Sequence, residues 1–339
     1  MRPFFWKNSF LYVLDQKQLP FKKTYIKCST YKEAIECIKN MNVRGAPAIG
    51  LVGSYALCLA LKNMDSKNFL DLLKKATDEI ISARPTAYNL FYCVNRLKQK
   101  ITLMFSSGKS KKEIFNEALS EAFRLEKENF ESLNRLVNYG VKLIKKSSVV
   151  LTHCNTGALA CGSVGTALGI IIEAYNKGKI QHVFVDETRP YLQGAKLTVF
   201  ELEEAKVPYT LITDNMAAFV IKEKKVNCVI VGADRIARNG DTANKIGSLN
   251  LAILCSYYKI PFYVAAPFSS IDRSIPSGSY IKIEFRTPEE VIYVNEKPIT
   301  VKKANVLHPA FDVTDAKLIT AIITEKGIFR YPYDFSKIC

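Results

Sequence analysis

The second half of the chain alternates short β-branched runs with helical stretches, and this alternation restricts the possible folds more than any other feature. The β-type runs span residues 148–152, 182–185, 209–213, 228–231 and 262–265, with helical patterns between most of them. Such alternation is typical of βαβ units, in which parallel strands form a sheet covered by helices on both faces. We therefore predict an α/β fold whose C-terminal domain, residues 126–339, is Rossmann-like with a mainly parallel sheet.

The preceding part, residues 1–125, is predicted to form a smaller, mainly helical domain with a short β element. Two short strands are expected within residues 10–28. Capping boxes at Thr30-x-x-Glu33 and Ser110-x-x-Glu113 predict two helix starts, and the second opens a long helix that runs to about residue 146. Further helices are predicted at about 46–62, 67–82 and 86–105.

The formal charge of +16 arises from 48 basic and 32 acidic residues. Residues 1–150 hold 26 of the basic and 13 of the acidic residues, and lysines outnumber arginines by 36 to 12. Proteins that bind nucleic acids usually rely on arginine, so we interpret the charge as a lysine-rich solvated surface and expect no nucleic-acid partner. No apolar stretch is long enough for a membrane span, and the first residues lack the apolar region of a signal peptide. A cytoplasmic protein without a membrane partner is expected.

The common metal and nucleotide motifs are missing from the sequence. None of the nine cysteines forms a C-x-x-C pair, and the three histidines form no H-E-x-x-H motif. No G-x-G-x-x-G occurs, and Ser163 stands where a phosphate-binding loop would have its lysine. We therefore expect neither a metal nor a cofactor.

Two residues that follow predicted strands are candidates for catalysis, because ligands bind at the carboxyl ends of the strands in such sheets. Cys154 precedes an expected helix start, where a thiolate is favoured, and it can serve as base or nucleophile. A buried structural cysteine explains this position equally well. Asp234 follows an apolar strand, where poor solvation favours the protonated form that a general acid needs. A helix cap or an ion pair with Arg235 is the alternative reading.

Three segments have the composition of anion sites, with a cation or amide beside an expected helix start. They are Arg44 with Gly45 and Ala46, Arg84, and Asn244 with Lys245, the last just before a helix expected near Ile246. Helix capping beside a surface charge explains each segment by itself. Three of them in one chain favour a phosphorylated small molecule as the ligand.

Six longer stretches of the sequence are distinctive when taken together. They are NVRGAPAIG (42–50), RPTAYNL (84–90), THCNTGALA (152–160), DETRPYLQGAKLTVFEL (186–202), ITDNMAA (212–218) and VGADRIARNGDTANKIG (231–247). With them the chain resembles the methylthioribose-1-phosphate isomerases, and the resemblance covers nearly the whole chain. The wider family also contains ribose-1,5-bisphosphate isomerases and the α, β and δ regulatory subunits of initiation factor 2B.

The resemblance implies a homodimeric isomerase that converts 5-methylthioribose 1-phosphate to 5-methylthioribulose 1-phosphate in methionine salvage. It implies that Asp234 is the general acid and that Cys154 is a base or a transition-state stabiliser. The substrate-binding residues that it implies are Arg44, Gly45, Ala46, Arg84, Gln193, Asn244 and Lys245. Two alternatives stay open: an isomerase of a related sugar phosphate, 5-deoxyribose 1-phosphate or ribose 1,5-bisphosphate, and a non-catalytic regulatory subunit.

Overall fold

The computed structural model describes residues 2–64, 67–84 and 87–337, and within them the chain divides into two compact units. Unit 1 comprises the residues up to Ser132 together with Ala158–Gly165. Unit 2 comprises Leu133–Gly157 and the residues from Thr166 onward. The chain therefore leaves unit 1, returns to it for residues 158–165, and then completes unit 2.

Unit 1 contains a three-stranded antiparallel sheet and several helices. The strands, paired in this order, are β1 (Phe4–Lys7), β2 (Phe10–Leu14) and β3 (Tyr25–Cys28). The helices are α1 (Tyr31–Lys39), α2 (Ala46–Leu61), α3 (Phe69–Ser82), α4 (Tyr88–Ser106), the first part of α5 (Lys111–Leu143) and α6 (Ala158–Cys161). Both capping boxes form as predicted, at Thr30 with Glu33 and at Ser110 with Glu113. The helical character is confirmed, with three strands where two were expected.

Helix α2 is the centre of unit 1. All of its residues from Ala48 to Leu61 are buried, as expected for a helix that is apolar on every side. The other helices and the sheet pack around it in one hydrophobic core. Within the described ranges, no helix is both long and apolar enough to span a bilayer. Because α2 begins directly after Gly45, the packing of this helix fixes the position of segment 44–46.

Gly45 is the tightest point at the start of α2. Its φ is 86°, and a Cβ atom would lie 2.1 Å from the backbone oxygen of Ala160. We expect Gly45→Ala to lower the free energy of unfolding by about 2–5 kcal/mol, because it combines a left-handed backbone with a steric clash. Gly108→Ala is the matched control: φ there is 75°, but no atom lies within 4 Å, so a loss of about 1–2 kcal/mol is expected. Urea unfolding measures both variants, and equal losses would contradict a close contact at Gly45.

Unit 2 contains thirteen strands and several helices within the described residues. Its strands are β4 (Ser148–Thr152), β5 (Ile180–Asp186), β6 (Tyr209–Ile212), β7 (Cys228–Val231), β8 (Arg235–Ala237), β9 (Thr242–Lys245), β10 (Phe262–Ala265), β11 (Ile271–Asp272), β12 (Tyr293–Val294), β13 (Lys297–Pro298), β14 (Phe311–Thr314), β15 (Ala321–Thr324) and β16 (Gly327–Phe329). Besides the end of α5, its helices are α7 (Ala167–Asn176), α8 (Val199–Glu204), α9 (Ala217–Glu223), α10 (Ser248–Tyr258) and α11 (Glu289–Ile292).

Seven of these strands form the main sheet, in the order β16-β15-β10-β7-β4-β5-β6. All neighbours are parallel except β15 and β16. The six parallel strands follow the Rossmann order, so the predicted fold class is confirmed. From β4 the chain builds outward to β5 and β6, and it then crosses over to β7. The order therefore reverses between β4 and β7, and sheets of this kind bind ligands beside the carboxyl ends of those two strands.

A second sheet in unit 2, of four strands in the order β11-β8-β9-β14, was not predicted. Its strands are only two to four residues long, which is too short to produce a recognisable periodicity. It begins three residues after β7 ends, and it determines where residues 234–245 lie.

Candidate active site

The loops that follow β4 and β7 lie side by side at the point where the strand order reverses. Thr152 pairs with Ile230 in the parallel register of these strands. A Cβ atom at Gly232 would lie 2.6 Å from Cγ2 of Thr156, so the two loops are in close contact beyond the strand ends. Cys154 lies in the first loop and Asp234 at the end of the second. The structure therefore brings both catalytic candidates to one edge of the sheet.

The backbone of Cys154 is held in an unusual conformation. Its φ is 62°, a left-handed value that non-glycine residues rarely adopt. The Cys154 N–H donates to Oγ1 of Thr188 at 2.8 Å, and its carbonyl accepts from Oγ1 of Thr198 at 2.5 Å. Both threonines and Cys154 itself are buried. Backbone strain of this kind persists only where the surroundings enforce it, and it is concentrated at functional sites.

The helix expected after the glycine-containing turn that follows Cys154 is present, but it is short and distant: α6 begins four positions later at Ala158 and has only four residues. The intervening residues are used for tertiary contacts: Nδ2 of Asn155, for example, donates to Oε1 of the buried Glu201 at 2.8 Å. The electrostatic activation expected from a helix N-terminus is therefore not supplied by α6.

The prediction that Asp234 is poorly solvated is wrong for the single chain. Its side chain is exposed, although the preceding strand β7 is entirely buried. The reason is the second sheet: the Asp234 N–H donates to the carbonyl of Ala243 at 3.0 Å, which draws the chain away from the core. An acid role for Asp234 therefore requires a bound ligand, rather than the protein core, to exclude water.

Gln193 offers a buried acceptor at the same edge of the sheet. It is 5% exposed, and within the described part of the chain its Oε1 has no hydrogen-bond partner. It directly precedes a π-helical turn, Gly194–Thr198, and such turns are frequent at functional sites. An unsatisfied buried oxygen is costly, so a ligand hydroxyl would be a favourable donor to it.

The helix expected to begin near Ile246 is present and begins at Ser248. Asn244 and Lys245 precede it in strand β9, where both are buried. The N–H groups of Gly247 and Leu249 donate to the carboxylate of Asp312, at 2.7 and 3.1 Å. A carboxylate of the chain thus occupies the place proposed for a ligand anion. Nζ of Lys245 donates to the Ala310 carbonyl at 3.2 Å and lies 4.9 Å from the centre of the Phe311 ring.

His153, Asp186 and Asp214 form a cluster in which the first two side chains are buried and the third is half-buried. Nδ1 of His153 lies 2.8 Å from Oδ2 of Asp186, and its Nε2 lies 2.9 Å from the Ile246 carbonyl. Both carboxylate oxygens of Asp214 accept backbone N–H groups, from residues 188 and 189. Among the side-chain nitrogen and oxygen atoms of these three residues, only Oδ1 of Asp186 lacks a hydrogen-bond partner within the described part of the chain, so the cluster fits a hydrogen-bonded network better than a metal centre.

Two pKa shifts accompany this network. Burial lowers the pKa of His153, but the hydrogen bond and the charge of Asp186 outweigh burial and raise it overall. Burial also raises the pKa of Asp186, against the opposing influence of His153. Both shifts favour a state in which the pair retains a proton.

The remaining candidates belong to unit 1. Arg44 is 9% exposed and lies just before α2, whose N-terminus carries no side-chain cap. Gly45 is the N-cap residue and Ala46 the first residue of this helix, as expected for an anion site. Arg84 is half-buried between α3 and α4 rather than directly before a helix. Pro85 and Thr86, which complete the motif around Arg84, lie outside the described residues.

Comparison with known proteins identifies the family. Residues 42–331 match the model of the initiation factor 2 subunit family. The methylthioribose-1-phosphate isomerase of Caldicellulosiruptor saccharolyticus is 48% identical over 98% of this chain and 97% of its own length. The chain belongs to the methylthioribose-1-phosphate isomerases of the initiation factor 2 subunit family.

Solved structures of the family show the same fold. The 5-methylthioribose 1-phosphate isomerase of Pyrococcus horikoshii OT3 superposes with a TM-score of 0.92 at 40% identity, covering 98% of this chain and 93% of the other. A structure from A. fulgidus, described as translation initiation factor eIF-2B subunit delta, gives 0.89 at 39% identity, covering 98% and 97%. The resemblance seen in the sequence motifs is thus confirmed.

Sequence reasoning missed the residues that support Cys154. They are His153, Thr188 and Thr198. All three belong to the stretches THCNTGALA and DETRPYLQGAKLTVFEL. The signal that could have revealed them is that these stretches extend well beyond the candidate site residues. Their roles depend on contacts between residues more than 30 positions apart, which no local pattern reveals.

Proposed function

We propose that the chain is an aldose–ketose isomerase that converts 5-methylthioribose 1-phosphate to 5-methylthioribulose 1-phosphate, a step of methionine salvage. The observation that carries the proposal is the placement of Cys154 and Asp234 in neighbouring loops where the strand order reverses. The relatives that share this activity by name are 43–49% identical over nearly the full chain.

The first chemical task is to open the sugar ring, because the phosphate on C1 blocks access to a free aldehyde. In this proposal Asp234 donates its proton to the ring oxygen, and the bond between C1 and that oxygen breaks. A cation-like centre forms at C1, and Asp234 becomes a carboxylate. Since Asp234 is exposed in the chain alone, the bound substrate supplies the desolvation that favours its protonated form.

The second task is to move the hydrogen of C2 to C1. In one route a Cys154 thiolate removes it as a proton, which gives an enol phosphate, and then returns it to C1. In the other route the hydrogen shifts directly as a hydride, and Cys154 stabilises the charge at C1. In both routes the C2 hydroxyl proton passes to the Asp234 carboxylate, so a ketone forms and the acid is regenerated.

Substrate binding is assigned to two groups of residues. Arg44, Gly45, Ala46 and Arg84 are proposed to bind the phosphate through a guanidinium and the N–H groups at the start of α2. Gln193, Asn244 and Lys245 are proposed to bind the sugar. The unsatisfied Oε1 of Gln193 supports this assignment, because a sugar hydroxyl would satisfy it.

Turnover of three substrates tests the proposal. We expect the highest kcat/KM for methylthioribose 1-phosphate, and at least about tenfold less for 5-deoxyribose 1-phosphate, which lacks the apolar 5-substituent that a matched pocket would bind. Ribose 1,5-bisphosphate should be poorer still, since its second phosphate needs a further cation. A preference for either alternative substrate would contradict the assignment.

A regulatory function is the second candidate, favoured by the similarity to the A. fulgidus structure described as an eIF-2B subunit. A chain of this class would bind the sugar phosphate without converting it. Binding measured by calorimetry, together with the absence of turnover for all three substrates, would support this candidate and exclude the isomerase.

We further propose that the protein is a cytoplasmic homodimer that needs no metal or cofactor, as the resemblance implies. Sedimentation that shows only the 38.1 kDa single-chain species at working concentrations would contradict the dimer.

A further inference from the structure

His153 is buried at the junction of three loops of unit 2. Its own backbone precedes Cys154, its Nδ1 contacts Asp186 at the end of β5, and its Nε2 contacts the carbonyl of Ile246, the residue after Lys245. His153 and Asp186 are each 1% exposed. One imidazole ring therefore connects the loop of the candidate nucleophile with two other loops that carry candidate site residues.

Hydrogen-bond chemistry determines the number of protons at this junction. The carbonyl of Ile246 can only accept, so Nε2 of His153 must carry a hydrogen. In a neutral ring Nδ1 then has a lone pair, and this nitrogen lies 2.8 Å from Oδ2 of Asp186. An ionised carboxylate at that distance would place two lone pairs against each other. A second proton must therefore lie between Nδ1 and Oδ2.

The charges around the pair favour retention of this proton. Asp214, after β6, raises the pKa values of both His153 and Asp186, and Glu187 raises that of Asp186. Asp312, on β14, also interacts with His153. Since both pKa values are raised in the folded chain, the pair keeps this proton to higher pH than the same groups would in the unfolded chain, and loses it as the pH rises through the raised values.

The hydroxyl of Thr188 connects the backbone of Asp186 to the backbone of Cys154. Oγ1 of Thr188 donates to the Asp186 carbonyl at 3.1 Å and accepts from the Cys154 N–H at 2.8 Å. Thr188 is completely buried. A shift of the Asp186 loop would therefore be transmitted to the strained backbone of Cys154.

We propose that His153 and Asp186 share one buried proton, and that this proton fixes the relative positions of the loops that carry Cys154, Thr188 and Lys245. His153 is thus a positioning residue: it acts through Cys154 and Lys245 and does not touch the substrate. The consequence for turnover rests on the proposed isomerase function, whereas the shared proton itself does not.

Nuclear magnetic resonance of ¹⁵N-labelled histidine tests the shared proton without any substrate. The chain has only three histidines, so His182→Gln and His308→Asn assign the other two signals. We expect at pH 7 a hydrogen-bonded proton at Nδ1 of His153 that exchanges slowly with water, and its loss at alkaline pH. The absence at pH 7 of a slowly exchanging proton in the bond between His153 and Asp186, or a His153 ring that titrates at the ordinary histidine pKa, would overturn the proposal.

Substitutions at Asp186 test the positioning role. The amide of Asp186→Asn can donate to Nδ1 of a neutral His153, so it replaces the shared proton with one that does not titrate. We expect this variant to retain kcat/KM within about threefold at pH 7 and to lack the alkaline decline of the wild type. Asp186→Leu, which cannot form the bond, should lose at least about tenfold, because small displacements of reacting groups are costly.

The comparison of these two variants separates the outcomes. Equal losses in Asp186→Asn and Asp186→Leu, with both folded by circular dichroism, would overturn the proposal, since they would show that a carboxylate charge and not a proton is needed. If the wild type turns over none of the three sugar phosphates, the isomerase function fails, and the resonance experiment still decides whether the proton is shared.

Discussion

Cys154→Ala is expected to lower kcat by at least about a hundredfold, the range in which general acid–base groups contribute. The structure supports a role beyond packing, because two buried threonine hydroxyls hold this residue in a left-handed conformation. A cysteine retained only as a small apolar side chain would not need this arrangement. The measurement is steady-state turnover of methylthioribose 1-phosphate, with folding checked by circular dichroism.

Cys228→Ala is the matched control for this prediction. Cys228 is also buried, in the neighbouring strand β7, and burial raises the pKa of its thiol to about 12. It therefore stays protonated at neutral pH, and its loss should change stability but leave kcat within about twofold. A Cys154→Ala enzyme as active as Cys228→Ala would exclude Cys154 from the mechanism.

Isotope transfer then distinguishes the two roles left open for Cys154. With substrate deuterated at C2, a hydride shift retains deuterium at C1 of the product. Proton transfer through the thiolate allows exchange with water, so deuterium is partly or fully lost. Complete loss would exclude the hydride shift as the main route and assign Cys154 as the base.

Asp234→Asn is the second substitution for which we expect a large effect. It should lower kcat by at least about a hundredfold. The amide has nearly the same shape but cannot protonate the ring oxygen, so substrate binding should change much less than turnover. Because Asp234 is exposed and at the surface of unit 2, the substitution should leave the free energy of unfolding almost unchanged.

The control for Asp234 is Asp78→Asn, an exposed carboxylate on α3. We expect it to match the wild type in both kcat and stability. Near-normal turnover of Asp234→Asn would contradict its assignment as the acid, and a large loss of stability would indicate a structural role instead.

The main architecture could be predicted from the sequence because it depends on local patterns. Buried parallel strands such as β4, β7 and β10 are short apolar runs, and longer helical stretches separate most of them. The four-stranded sheet could not be predicted, since strands of two to four residues have no periodicity and are stabilised by pairing between distant segments.

The sequence predicted that Cys154 and Asp234 follow strands of one sheet, but it did not predict the environment of either residue. Cys154 and Asp234 lie at one sheet edge, as the parallel topology requires. Local reasoning did not reveal that Asp312 accepts the N–H groups at the start of α10, because Asp312 lies more than 60 positions further along the chain. It was wrong about the solvation of Asp234, because the residues after β7 pair within the second sheet and leave this side chain exposed.

The return of the chain to unit 1 at residues 158–165 has a practical consequence for dissecting the protein. Nε2 of Gln16 donates to the Leu159 carbonyl, and Nδ2 of Asn129 donates to that of Cys161, both at 2.9 Å. A fragment cut at the end of α5 would lack these partners and leave Gly45 without its neighbour Ala160. The two units are therefore interleaved along the polypeptide, and during synthesis unit 1 is complete only after the first strand of unit 2 has already been made.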